Sequence, residues 1–143
     1  MSAKPAKGKA KRPARLGRVL LVEDDTVLAL ALEDALLEGG ASEVVICQTM
    51  KATMAELEQS GRFDAVVLDV HLADRDDGWA LAEIITLLGT KEPHIFFSTG
   101  SPDEIPPNIA NIGPVFEKPY DPALLVDQLA KGARRGIFSR LLR

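Results

Sequence analysis

Short apolar runs that end in charged or hydroxylated residues set the rhythm of this chain. Val19-Leu20-Leu21-Val22 ends in Glu23-Asp24-Asp25, Ala65-Val66-Val67-Leu68 in Asp69, Ile95-Phe96-Phe97-Ser98 in Thr99-Gly100, and Val115-Phe116-Glu117 in Lys118-Pro119. Unbroken apolar stretches of this length predict strands buried on both faces of a parallel sheet. Glu43 to Cys47 reads as a further strand. Between the strands, Thr26 to Glu38 carries Leu28, Leu32, Ala35 and Leu36 at helical spacing and stops at Gly39-Gly40. Lys51 to Gln59 and Trp79 to Leu88 read as helices closed by Gly61 and Gly89. A last helix is expected from Asp121-Pro122, an N-cap followed by proline at the first helical position. Prolines 102, 106, 107 and 114 predict a fourth helix that is short or irregular. Five strands alternating with helices predict an α/β fold, a doubly wound parallel sheet with right-handed crossovers.

Size and charge narrow the picture. The 143 residues suit one domain that can bury a core without disulfides. The lone Cys47 lies in an apolar strand and reads as a buried, inert thiol. Nothing has the spacing of a zinc site or a disulfide framework. No apolar run approaches the ~20 residues of a membrane span. The basic amino terminus lacks the apolar core of a secretory signal, so a cytoplasmic protein is expected. Residues 1–18 hold seven Lys or Arg and no acid, and residues 131–143 hold five and no acid. All 21 acids therefore sit in residues 19–130 with five basic residues, a net charge near −16.

The division this implies is a disordered basic arm (1–17), a folded acidic domain (18–131) and a basic amphipathic extension (132–143). In the extension, Leu125, Leu129, Ala133, Ile137 and Leu141 recur every four residues beside Arg134, Arg135 and Arg140. Such a segment could meet a partner or an anionic membrane. Gly132 and Gly136 each weaken a continuous helix there by about 1 kcal/mol. The arms could also grip nucleic-acid phosphates by counterion release, but no aromatic residue interleaves the amino-terminal charges, and a solvated tail outweighs that reading.

The strand ends carry the chemistry. Ligand sites in open α/β sheets lie beyond the carboxyl ends of the strands. Glu23, Asp24 and Asp69 would form a hard oxygen site suited to Mg²⁺. A cation there would neutralise Asp69 and let its carboxylate accept a phosphoryl group, with Lys118 and the Thr99 hydroxyl on the phosphoryl oxygens. Gly100 leaves room for the incoming donor. A set of helix caps and surface ion pairs explains any one strand end but not four together. Asp69-Val70-His71 resembles the start of a cobalamin-binding motif only superficially, since Asp74 stands where glycine is needed, and His71 reads as a loop histidine near phosphate.

The motifs Val-Leu-Leu-Val-Glu-Asp-Asp at 19–25, Val-Val-Leu-Asp at 66–69, Asp77-Gly78, Thr99-Gly100 and Lys118-Pro119 resemble the receiver domain of two-component response regulators over residues 18–131. The resemblance implies a flavodoxin-like receiver fold and a cis Lys118-Pro119 bond. It implies Asp69 as phosphoacceptor, Thr99 as switch hydroxyl, Lys118 as phosphate partner, and Mg²⁺ on Glu23, Asp24, Asp69 and the His71 backbone carbonyl. Its partners would be a histidine kinase or histidine phosphotransfer protein and a downstream protein, with the chain catalysing its own phosphorylation and dephosphorylation. Phe97-Ser98-Thr99-Gly100 is similar to a Phe-Ala-Thr-Gly subgroup of stand-alone receivers, many paired with kinases of the HWE type. No residues remain for an output domain, so a stand-alone, monomeric or weakly dimeric receiver is expected. Val115 stands where most receivers carry an aromatic ring, which predicts a different switch. The alternative from another class is an interaction module of the same shape that works without phosphate.

Overall fold

The computed structural model describes residues 16–60, 62–75, 77–88 and 93–142, with no side-chain description at 60, 87, 88 or 133–142. Five parallel strands, β1 (Gly17–Val22), β2 (Ala41–Cys47), β3 (Ala65–Asp69), β4 (His94–Thr99) and β5 (Val115–Glu117), form one sheet in the order β2-β1-β3-β4-β5. The α-helices are α1 (Thr26–Glu38), α2 (Met50–Ser60), α3 (Ala80–Leu88), α4 (Pro107–Ala110) and α5 (Pro122–Leu142), with a 3₁₀ turn at Pro102–Glu104. The short fourth helix and its preceding turn follow from the prolines there, two of which open these elements. Among the described residues no helix is long and apolar enough to cross a membrane.

Strand alternation sorts the core into two layers. Leu20, Val22, Val66, Leu68, Ile95 and Phe97 face α2, α3 and α4, meeting Met50, Leu81, Ile85 and Ile109. Val19, Leu21, Ala65, Val67 and Phe96 face α1 and α5, meeting Leu32, Leu36, Leu125 and Leu129. All five residues of β3 are buried, as expected of the central strand. Cys47 is buried, and burial raises its thiol pKa. Strand β1 begins at Gly17, inside the range read as the amino-terminal arm, because Leu16 is buried and its N–H bonds the Gly40 carbonyl. Residues 1–15 lie outside the described residues.

Helix α5 runs through Gly132 and Gly136 without interruption. Gly132 has no neighbouring atoms where a side chain would stand. The apolar face expected at 133, 137 and 141 lies outside the described side chains. The order of the strands reverses between β1 and β3, since the chain leaves β1 for β2 at one edge and returns to β3 on the other side. A crevice opens at such a switch point, beyond the strand ends.

Candidate functional site

Glu23 follows β1 and Asp69 ends β3, so the switch point brings two carboxylates together. The Glu23 and Asp69 side chains are 1% and 3% exposed, whereas Asp24 is exposed. Asp25 serves another purpose: its Oδ1 accepts from the Val27 and Leu28 N–H groups at 3.0 and 3.1 Å and caps α1. Glu23, Asp24 and Asp69 can each offer an oxygen within 4.8 Å of the others, a group able to hold a metal ion.

Lys118 bridges the pair. Its Nζ lies 3.0 and 3.1 Å from the two Glu23 carboxylate oxygens and 3.3 Å from Asp69 Oδ2. The bond to Oε2 is a directed hydrogen bond, and Oε2 also accepts from the Asp25 N–H at 3.1 Å. Glu23 Oε1 is buried without a hydrogen-bond partner, because the ammonium approaches it outside hydrogen-bonding geometry. Burial and the neighbouring Asp69 push the Glu23 pKa up to about 7. Burial also raises the Asp69 pKa, against the opposing pull of Lys118. Burial alone would lower the Lys118 pKa, but the two carboxylates outweigh it and the net shift is upward. One ammonium thus faces two buried acids, and the orphaned oxygen has capacity for a cation. Hard carboxylate oxygens in this state fit a divalent ion such as Mg²⁺.

The remaining expected residues surround this pair. Thr99, fully buried at the end of β4, accepts from the Ser101 N–H at 2.9 Å through its hydroxyl, leaving the hydroxyl proton to donate. Its carbonyl accepts from the Lys118 N–H at 2.8 Å, tying the lysine to β4. The Lys118-Pro119 bond is cis. The His71 N–H points back at Asp69 Oδ1 at 3.2 Å, and its Nε2 lies 2.9 Å from Glu104 Oε1 in the 3₁₀ turn. The loop after β3 is pinned by Asp74, whose oxygens accept from Met50 and Lys51 N–H at 2.8 and 3.2 Å, capping α2. Those bonds lower the Asp74 pKa. Gly78 must be glycine, since a Cβ there would sit 2.4 Å from the Asp69 carbonyl.

Sequence reasoning passed over Tyr120 and treated Ser98 only as a replacement for alanine. Ser98 Oγ and the Tyr120 hydroxyl share a hydrogen bond of 2.6 Å. The Tyr120 ring leans on Phe116 at 5.6 Å, and Phe116 stacks on Phe96 at 6.0 Å. The available signal was a buried hydroxyl in an apolar strand, which must find a partner.

No protein-family model and no curated protein matches the chain. Solved structures do. A response regulator receiver domain protein (CheY-like) from Methanospirillum hungatei JF-1 superposes with a TM-score of 0.71 at 25% identity, over 83% of this chain and 94% of that one. The signal receiver domain of a protein from Vibrio parahaemolyticus gives 0.71 and 25%, over 88% and 96%. Its fold is that of a response regulator receiver domain. The response regulator DrrB of Thermotoga maritima gives a TM-score of 0.68 at 22% identity, and there the match covers 83% of this chain but only 53% of DrrB.

Proposed function

We propose that this receiver accepts a phosphoryl group on Asp69 from a histidine kinase or histidine phosphotransfer protein in a Mg²⁺-dependent reaction, and signals by protein contacts. The observation that carries the reading is Lys118, held at 3.0–3.3 Å between two buried carboxylates at the sheet's switch point. An ion pair kept only for stability gains little in such a site, because desolvating two acids against one ammonium offsets the attraction.

In this reading an Asp69 carboxylate oxygen attacks the phosphorus of a phosphohistidine. A P–O bond forms as the P–N bond breaks, and the histidine nitrogen keeps the electron pair and takes a proton. Lys118 turns from Asp69 to an oxygen of the transferred group, and the Thr99 hydroxyl donates to another. Water later attacks the phosphorus, returning the carboxylate and inorganic phosphate. Glu23, Asp24, Asp69 and the His71 carbonyl would hold Mg²⁺, which supplies charge neutralisation for the phosphoryl oxygens.

The test is mass spectrometry after treatment with acetyl phosphate, with and without Mg²⁺, on the native chain and Asp69→Ala. Phosphate on Asp69 that requires Mg²⁺ and disappears in the variant supports the reading. An unmodified native chain would make a phosphate-independent interaction module the better one.

A further inference from the structure

The segment that carries Lys118 is fastened to β4 at two successive residues. The Lys118 N–H bonds the Thr99 carbonyl at 2.8 Å, and two residues later the Tyr120 hydroxyl bonds Ser98 Oγ at 2.6 Å. Ser98 is also the register partner of Asp69 on β3 and of Phe116 on β5. Paired positions in a parallel sheet share a face, so Ser98 stands beside the acid pair on one side and the Phe116 ring on the other. Tyr120 is thereby held at both ends, its ring by Phe116 and its hydroxyl by Ser98. Ser98 is fully buried, and a hydroxyl there is unfavourable unless it is bonded.

We propose that Tyr120 is a positioning residue for Lys118, acting through its hydrogen bond to Ser98. A lysine side chain has four rotatable bonds and loses up to ~2 kcal/mol of rotamer freedom when it is fixed. Its Nζ keeps its station between Glu23 and Asp69 only if the backbone it hangs from is itself held. The Lys118 N–H holds one end of the cis corner and the Tyr120 hydroxyl the other, so the frame that carries the phosphoacceptor also carries the lysine. Loss of the second tie lets the corner shift and spreads Nζ over positions that no longer meet a phosphoryl oxygen. The role rests on the phosphoacceptor reading of Asp69.

Calorimetric titrations of Tyr120→Phe, Ser98→Ala and the double variant test it, first with Mg²⁺ alone and then with beryllofluoride at saturating Mg²⁺. Each single variant is expected to bind beryllofluoride roughly three- to tenfold more weakly, the range for one lost hydrogen bond. Mg²⁺ affinity should be no weaker, because its carboxylate ligands do not depend on the corner. The double variant should lose no more than either single one, since all three remove the same bond. Native beryllofluoride affinity in the single variants overturns the role. So does a parallel loss of Mg²⁺ affinity, the mark of general loosening, or losses that add in the double variant. Beryllofluoride binding by the native chain with unaffected variants removes the Tyr120 role alone. No binding by the native chain removes the phosphoacceptor reading and this role with it.

Discussion

Replacing Glu23 by glutamine should make the metal-free receiver more stable at pH 8, although it deletes half of an ion pair. In the unfolded chain this glutamate ionises near its ordinary 4.5, whereas in the folded state it ionises at about 7. Between those values the folded state holds a proton that the unfolded state has released. Stability therefore falls as pH rises through this window, and the loss is complete above about 7. A shift of this size corresponds to about 3 kcal/mol. Glutamine escapes that cost, keeps an oxygen for the Lys118 ammonium and the Asp25 N–H, and places an N–H₂ where Oε1 now lacks a partner. The shift already contains the attraction to Lys118, so a gain of about 2–3 kcal/mol is expected at pH 8. Urea denaturation with a chelator present, at half-unit steps from pH 5 to 8.5, measures it. The native chain should lose stability across the range. Glu23→Gln should show a shallower slope, the remainder coming from Asp69, whose pKa is also raised by burial. A variant less stable than the native chain at pH 8, or one with an unchanged slope, refutes the argument.

Lys118→Ala leaves two buried carboxylates without a counterion and should cost about 3 kcal/mol at pH 8 in the same assay. Mg²⁺ should restore more stability to this variant than to the native chain, and equal Mg²⁺ stabilisation of both would count against a shared site. Gly78→Ala drives a methyl group to 2.4 Å from the Asp69 carbonyl and 2.8 Å from the Val70 carbonyl. It should lower stability by about 2 kcal/mol and weaken beryllofluoride binding together, because the backbone that must yield is that of Asp69, the proposed phosphoacceptor. Asp25→Ala removes the α1 cap and should cost about 1 kcal/mol with the pH slope unchanged, which separates the capping acid from its neighbours Glu23 and Asp24.

The parts of this fold that were legible are those decided within a few residues. Central strands buried on both faces need unbroken apolar runs, and β1, β3 and β4 carry them, so the acids and the threonine at their ends, with the lysine after the short β5, could be placed on one edge from order alone. The proline-rich stretch after β4 likewise announced its own irregularity. What escaped notice depends on partners far apart in sequence. Helix α2 is capped locally by Thr49 Oγ1, which accepts from the Ala52 N–H at 2.9 Å, but its first N–H, on Met50, bonds Asp74, 24 residues on. Ser98 and Tyr120 lie 22 residues apart, and neither residue alone implies the other. Helix α5 shows the weight of length: Gly132 and Gly136, expected to weaken a continuous helix by about 1 kcal/mol each, lie within a single 21-residue helix.

The acid pair is the place where local physics and the rest of the sequence disagree, and the disagreement has a direction. Elsewhere the core is apolar, and the other polar side chains that go inside, Thr53 of α2 and Ser98 and Thr99 of β4, have hydrogen-bond partners. At the switch point two carboxylates are buried with one ammonium, one oxygen has no partner, and both acids resist ionisation. Hydrophobic replacements of similar volume would relieve that cost, so stability is not what these residues serve. Lys118 relieves part of it but is itself a quarter exposed, on a flexible stem, and able to turn toward another anion. A site that is short of positive charge and holds a single movable cation could receive a divalent ion and an anionic group together. That charge deficit, with Lys118 free to change partners, is the physical content of the phosphoacceptor reading.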